Sequence, residues 1–262
     1  MQRGYTYDNE SNITGITTEQ GDNHYQYDAL YRLTNVSTSV NGLPSEQYTY
    51  DKLGNRLTDT RRPNPSQGDK SWRYDGNNQL TESATEDTGL LVSNSKTVSH
   101  SYEANGSLIR KATPAGTAGQ YPTDNQKYQY DAANRLSEVQ DPDGHLIASY
   151  QYDPFGRRIV KTTPGNNTTV YLYSDEGLMA EATASGSIAT EYGWQPGNLW
   201  GTDPLYIKTT KTNGTSPEVF YYQNDHLGTP QKAVDAQGNI VWEMKAQAFG
   251  EASRSEERRV GK

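Results

Sequence analysis

The tetrapeptide Tyr-x-Tyr-Asp returns five times along this chain. The copies are Tyr5, Tyr7 and Asp8; Tyr25, Tyr27 and Asp28; Tyr48, Tyr50 and Asp51; Tyr128, Tyr130 and Asp131; and Tyr150, Tyr152 and Asp153. Residue frequencies alone would give roughly 0.1 copies in a chain of this length, so the motif marks an internal repeat. Degenerate copies fill the intervals: Trp72 to Asp75, His100 to Glu103 and Tyr171 to Ser174. The fourth residues of successive copies then stand 20 to 28 positions apart, the span of one supersecondary unit. A chain tied to this period folds by stacking copies, because a single unit cannot bury its own apolar face.

Each unit reads as a β-hairpin. Tyrosines two residues apart project from one face of a strand. Turn residues follow them: Leu53-Gly54-Asn55, Gly76-Asn77-Asn78, Asn105-Gly106 and Pro154-Phe155-Gly156. They supply the positive φ and side-chain-to-backbone bonds that a tight reversal needs. The return strand opens with Arg32-Leu33-Thr34, Arg56-Leu57-Thr58 or Arg135-Leu136-Ser137. The repeated aspartate stands at the junction of strand and turn, suited to accept loop N–H bonds or to pair with an arginine. A second turn, as in the segment around Pro114 and Gly119, leads to the next copy. The expected fold is all-β: stacked antiparallel hairpins forming a curved, spiralling sheet.

Composition agrees with such a wall. Apolar residues make up 32%, mean hydropathy is −0.97, and 20 tyrosines face three phenylalanines. A tyrosine ring buries apolar area while its hydroxyl stays hydrated or bonded, so the sheet faces are not expected to be dry. A net charge of −8 argues against nucleic acid as a partner. The absence of cysteine excludes disulfides, thiol catalysis and cysteine-based zinc sites. No apolar run reaches the length of a membrane span, and no signal peptide follows Met1.

The Tyr-x-Tyr-Asp unit with its turn and Arg-Leu strand resembles the YD repeat of Rhs (rearrangement hotspot) proteins. Residues 219 to 251 resemble the core signature of that family: Asn224, Asp225, His226, Leu227, Gly228, Thr229, Pro230 and Gln231, then Asp235, Gly238, Trp242 and Phe249. The family often has Tyr-Asp where this chain has Ala246-Gln247, which points to a weaker last hairpin. The resemblance implies a section of a hollow β-cocoon shell. It divides the chain into a YD-repeat array over 1–175 and C-terminal repeats with the core signature over 176–253, within one sheet. It implies a C-terminal toxin domain of the full-length chain as the enclosed partner, and a secretion apparatus or its spike proteins, of type VI or another kind, as the delivery partner. It therefore implies a secreted or cell-surface location. The family's Asp-Pro self-cleavage segment does not follow here, so neither autoproteolysis nor effector activity is expected from these residues. Arg254 to Lys262 abandon the repeat style and match an in-frame translation of a common sequencing adapter, which marks residues 254–262 as non-native in character.

No reactive centre stands out. His24, His100, His145 and His226 lack metal-binding spacing. Asp225 and His226 are adjacent, which in a strand points them to opposite faces, and a turn-forming corner explains them better than an acid–base dyad. Asp141 and Asp143, like Asp175 and Glu176, lack the closing glutamate of a calcium loop and read as turns. No cofactor is expected, and no metal. The exposed tyrosines with Trp72, Trp194, Trp200 and Trp242 offer stacking surfaces for sugars, so glycans are a possible partner in a carbohydrate-binding or adhesion array. The reading favoured by the repeat is a non-enzymatic container.

Overall fold

The computed structural model describes residues 3–62, 68–86, 96–114, 125–210 and 217–254. Among these residues there are 22 strands and no helix. The chain forms two compact units, one of residues 1–128 with 247–251, the other of residues 129–246 with 252–262.

The first unit holds β1 (Arg3–Tyr7), β2 (Ile13–Thr18), β3 (Gly21–Tyr27), β4 (Leu33–Thr38), β5 (Ser45–Tyr50), β6 (Arg56–Arg62), β7 (Asp69–Tyr74), β8 (Leu80–Glu86), β9 (Lys96–Tyr102), β10 (Leu108–Ala112) and the start of β11 (Gln126–Tyr130). Each strand pairs antiparallel with its neighbour in sequence, from β1 with β2 to β10 with β11. The second unit continues with β12 (Leu136–Gln140), β13 (Leu146–Tyr152), β14 (Arg158–Thr163), β15 (Asn167–Tyr173), β16 (Leu178–Thr183), β17 (Ile188–Trp194), β18 (Pro204–Thr209), β19 (Glu218–Asn224), β20 (Pro230–Val234), β21 (Ile240–Ala246) and β22 (Ala252–Arg254). There too the ladders join sequence neighbours from β12 to β22. This meander is what short local turns dictate, since a two-strand reversal needs only a few residues.

Alternation decides which face is covered. Along β5, Glu46 and Tyr48 are buried while Gln47 and Thr49 are exposed. On the outer face, Thr49 and Thr58 stand opposite each other with hydroxyls 2.6 Å apart, a cross-strand pair that suits a wetted surface. The buried apolar set is thin and small: Val36, Val40, Val98, Val139, Ala148, Ala180, Ala182 and Ala233, with Tyr48. In the first unit Glu46, Asp59 and Arg61 are each 2% exposed, as buried as Val36, Val40, Val98 and Tyr48. Where a ring lies over a cross-strand partner, glycine makes room. Gly193 pairs with Tyr206, and a Cβ at Gly193 would stand 2.1 Å from the Tyr206 ring.

Each Tyr-x-Tyr-Asp strand runs into a turn whose fourth residue takes a left-handed conformation. Examples are Tyr31 (φ 60°), Gly54 (φ 91°), Asn134 (φ 60°) and Gly156 (φ 82°). A ladder irregularity follows at once, as between Gln26 and Tyr27 opposite Leu33, which is the bulge that three-residue hairpin loops carry. Arg56 opens β6 as expected, whereas Arg32 and Arg135 belong to the turn: β4 begins at Leu33 and β12 at Leu136, and each arginine closes its loop. The second turn around Gly119 falls largely outside the described residues, as does the tail from residue 255 onward.

Candidate functional site

The functional feature is a joint repeated along the chain rather than a cleft. In the Asp28 turn, the Asp28 N–H donates to the Arg32 carbonyl and the Tyr31 N–H to the Asp28 carbonyl, both at 2.9 Å. Asp28 Oδ1 accepts the N–H groups of Leu30 (2.9 Å) and Arg32 (3.0 Å), and Oδ2 accepts Arg32 Nε at 2.7 Å. The carboxylate thus satisfies loop amides that no strand partner reaches. The same set recurs at Asp131 with Arg135 and at Asp153 with Arg157. Asn12 and Asn55 replace the arginine at Asp8 and Asp51. The Arg32 and Arg135 hydrogen bonds are the largest reason that the carboxyls of Asp28 and Asp131 sit below the ordinary range.

The tyrosine before the turn ties one hairpin to the one before it at six places. Tyr27 donates its hydroxyl to the Ile13 carbonyl at 2.7 Å, Tyr50 to Leu33 at 2.6 Å, and Tyr102 to Leu80 at 2.9 Å. Tyr152 reaches the Leu136 carbonyl at 2.8 Å and Tyr173 that of Arg158 at 2.7 Å. Tyr74 makes a longer bond, 3.3 Å, to Arg56. In each case the acceptor lies at the start of the preceding return strand, beside the bulge. At the same place further along, Trp194 Nε1 donates to the Leu178 carbonyl at 2.8 Å. Phenylalanine would fill the space but leave the carbonyl unmatched, which explains the excess of tyrosine.

The turn arginine ties the joint forward. Arg32 Nη1 donates to the Asp51 carbonyl at 2.9 Å, and its guanidinium lies 4.8 Å from the Tyr50 ring centre. Arg135 repeats this with the Asp153 carbonyl at 3.0 Å and the Tyr152 ring at 5.0 Å. Arg157 covers the Tyr173 ring at 5.1 Å. A cation over a ring face is attracted by the ring quadrupole, so the hairpins closed by Arg32, Arg135 and Arg157 are also tied to the next one.

Of the first tyrosines, Tyr48 is buried and Tyr5, Tyr25, Tyr128 and Tyr150 are half-buried. Burial pushes the Tyr25 hydroxyl up to about 12 and raises that of Tyr48 further still. Tyr128 donates to Gln126 Oε1 at 2.9 Å, and Tyr150 lies under Arg158 at 5.2 Å. Tyr5 stacks on Tyr7 with ring centres 6.5 Å apart, and Tyr7 is exposed. Tyr130 is half-buried at the end of β11.

The core-signature residues build one more copy of the same turn. Asp225 Oδ1 accepts the N–H groups of Leu227 (2.9 Å) and Thr229 (3.0 Å), and Oδ2 accepts Gln231 Nε2 at 3.0 Å. Gly228 is buried at φ 75°, and a Cβ there would lie 2.8 Å from the Asp203 backbone nitrogen. No other residue fits that position without displacing the chain. Pro230 opens β20 opposite Asn224. His226 and Leu227 are exposed at the tip, so the structure uses Asp225 for the turn. Asp141, Asp143 and His145 bring ligand atoms within 4.8 Å of one another, yet Asp141 Oδ1 is engaged by the amides of Asp143 and His145 and Oδ2 by His145 Nδ1.

One group was missed in sequence. Glu46, Asp59 and Arg61 form a buried charged set on β5 and β6, with Arg61 Nη2 to Asp59 Oδ2 at 2.9 Å. Burial raises the Glu46 carboxyl. The two-residue parity carried the available signal, since Glu46 shares a face with Tyr48 and Tyr50.

The chain is similar to several known proteins. The Teneurin YD-shell family model matches residues 2–257. RhsA of Dickeya dadantii is 27% identical over 97% of this chain and 16% of its own length. The double-stranded DNA deaminase toxin A of Burkholderia cenocepacia is 23% identical over 95% of this chain and 17% of its own. Among solved structures, the Photorhabdus luminescens Tc holotoxin pore is similar with a TM-score of 0.44 and 14% identity, over 95% of this chain and 15% of that one. The chain therefore spans about a sixth of the length of these relatives. With a matching family model over nearly its whole length, and with a joint that repeats along it, the chain belongs to the Teneurin YD-shell family.

Proposed function

We propose that this chain is a wall section of an encapsulating shell in a polymorphic toxin of the Rhs type. The shell encloses a C-terminal toxin and helps deliver it in competition between bacteria. The carrying observation is the joint itself: tyrosine hydroxyls, turn carboxylates and turn arginines are spent on neighbouring hairpins. The working residues are then those of the joints, the five Tyr-x-Tyr-Asp copies together with Asp225, Gly228 and Gln231. We take the segment to be non-enzymatic, with the activities named in its relatives carried by parts those proteins have beyond the matched sixth. Secretion, a delivery spike and the division into an array over 1–175 and signature repeats over 176–253 belong to the same reading. Among the described residues no helix is long and apolar enough to cross a membrane.

The test uses the longest natural chain that contains this sequence. Protease protection of the region C-terminal to the repeats is measured with and without the paired changes Tyr50→Phe and Tyr152→Phe. Protection in the parent chain that falls in the variant supports enclosure. Equal digestion in both, at the rate of the isolated C-terminal region, overturns it.

A second reading is carbohydrate binding. A groove of about 460 Å³ is lined by Tyr25, Tyr27 and Tyr31 with Asp8, Glu10 and Asp28, a mixture of ring faces and acceptors that suits a polyol. Tyr31 holds φ 60°, an unfavourable conformation for a bulky residue. Saturable micromolar binding on a glycan array, lost in Tyr31→Ala, would favour this reading over the plain wall.

A further inference from the structure

The turn at Gln247–Glu251 has the backbone of the Asp28, Asp51, Asp131 and Asp153 turns and a different distribution of charge. The Gln247 N–H donates to the Glu251 carbonyl and the Gly250 N–H to the Gln247 carbonyl, both at 2.9 Å, with Gly250 at φ 80°. At its first position, however, an amide replaces the aspartate. At its fifth, where Arg32, Asn55, Arg135, His145 and Arg157 close the other turns, stands Glu251. This turn holds no internal acid–base pair, and its charge is directed elsewhere.

Its partners lie on β5, β6 and β7 of the same unit. Glu251 Oε2 accepts Arg61 Nη2 at 2.6 Å and Lys70 Nζ at 2.5 Å. The Ala248 N–H donates to Glu46 Oε2 at 3.2 Å. The Phe249 ring meets Tyr48 edge-on with centres 4.9 Å apart, and Arg56 lies 4.0 Å over its face while also covering Trp72 at 4.2 Å. Other tip residues at the same turn position, Leu30, Leu53, Phe155 and Leu227, are 67 to 83% exposed, against 53% for Phe249. Arg61, already paired to buried Asp59, keeps a donor for a second carboxylate.

We propose that residues 247–251 are a clasp and that Glu46, Tyr48, Arg56, Arg61 and Lys70 form its socket, which selects a hairpin tip with an aromatic third residue and an acidic fifth. The socket discriminates by charge. A tip closed by an arginine, as at Arg32, Arg135 or Arg157, would set like charge against Arg61 and Lys70, and a tip closed by a neutral residue, as at Asn12 or Asn55, would leave both cations without the Glu251 carboxylate. The clasp thus joins segments about 180 to 200 residues apart.

Two measurements on the full chain test this. A zero-length carbodiimide reagent links a lysine to a carboxylate only when they touch, and is expected to join Lys70 to Glu251 in the native protein. Absence of that cross-linked peptide overturns the proposal. The second is the double change Gln247→Asp with Glu251→Arg, which rebuilds the turn as a self-paired joint while reversing its charge. Hydrogen exchange of residues 45–62 and 69–74 is expected to accelerate at least tenfold, with residues 96–112 unchanged and with Leu227→Ala as a silent control. Protection of 45–62 within twofold of the parent chain, or a uniform loss across the unit, overturns the clasp.

Discussion

The Asp28 turn and the Gln247 turn share a backbone and differ in what they do with charge. In the first, acid and base lie four residues apart and close on each other, with Arg32 also reaching the Asp51 carbonyl and Leu30 left in water. In the second, the base is replaced by an acid, and the tip is seated against Arg61, Lys70 and Tyr48. The backbone frame is therefore set by spacing and by one left-handed residue. The side chains at its first and fifth positions decide whether the turn ends in solvent or docks. The half-buried Asp28–Arg32 pair lies within its own turn, whereas Glu251 depends on a buried arginine that already serves Asp59.

The largest effect expected to break this contrast is Arg61→Ala. It strands the Asp59 carboxylate, whose side chain is 3% exposed, and removes one anchor of Glu251. Equilibrium urea unfolding should lose about 3–5 kcal/mol. Arg32→Ala, in the self-paired turn, should lose several-fold less by the same measurement. Equal losses would mean that the two turns are energetically alike.

Next comes the left-handed position that both turns share. Gly156→Ala places a Cβ where φ is 82° and should cost about 1–2 kcal/mol in the same assay, with Gly156→Asn costing less. Tyr50→Phe removes one hydroxyl bond to the Leu33 carbonyl and should lose about 1 kcal/mol, while Tyr7→Phe, at an exposed ring, should be silent. A silent Tyr50→Phe would remove the tyrosine staple from the account of why the repeat uses Tyr.

Acid should separate the turns more gently. Burial alone would raise the Glu251 carboxyl, but the bonds and charges of Arg61 and Lys70 bring it down to about 2. The docked carboxylate binds protons more weakly than the undocked one, so clasp stability is full above the ordinary glutamate range near 4.5 and is lost as pH falls from there toward 2. Buried Glu46, raised by its burial and facing Tyr48, Asp59, Arg61 and the Ala248 N–H, works the other way, because its protonation relieves a cost. Hydrogen exchange of residues 45–62 followed from pH 5 to pH 2.5 should show net loss of protection if Glu251 dominates. The smallest effect is at His145, whose imidazole is raised by its bond to Asp141. Its NMR titration midpoint should lie above the ordinary histidine value and fall in Asp141→Asn.

Much of this architecture was legible in the residues. Tyr25 and Tyr27 alternate with exposed Gln26, and turn residues follow at a fixed offset, so hairpins and their order came from local pattern alone. The left-handed fourth position was readable where glycine or asparagine fills it and not at Tyr31. The unequal roles of the two tyrosines were hidden, because the choice of the Leu33 carbonyl for Tyr50 depends on where the bulge puts an unpaired group. The departure at Ala246-Gln247 read as a weak last hairpin. Its meaning lay in Glu251, and no local period can announce a partner 190 residues away.

The hydroxyl-to-carbonyl tie has a corollary for how such chains change length. Six of the hairpins meet their predecessor through one phenol, and those closed by Arg32, Arg135 or Arg157 meet their successor through one guanidinium. Excising or duplicating a stretch between two aspartates whose turns close with the same residue, such as Asp131 and Asp153, leaves the seam at the cut chemically alike, so such an edit is absorbed without redesign. The strands carrying Glu46, Arg61 and Lys70 are the exception, since a copy substituted there would have no answer for Glu251.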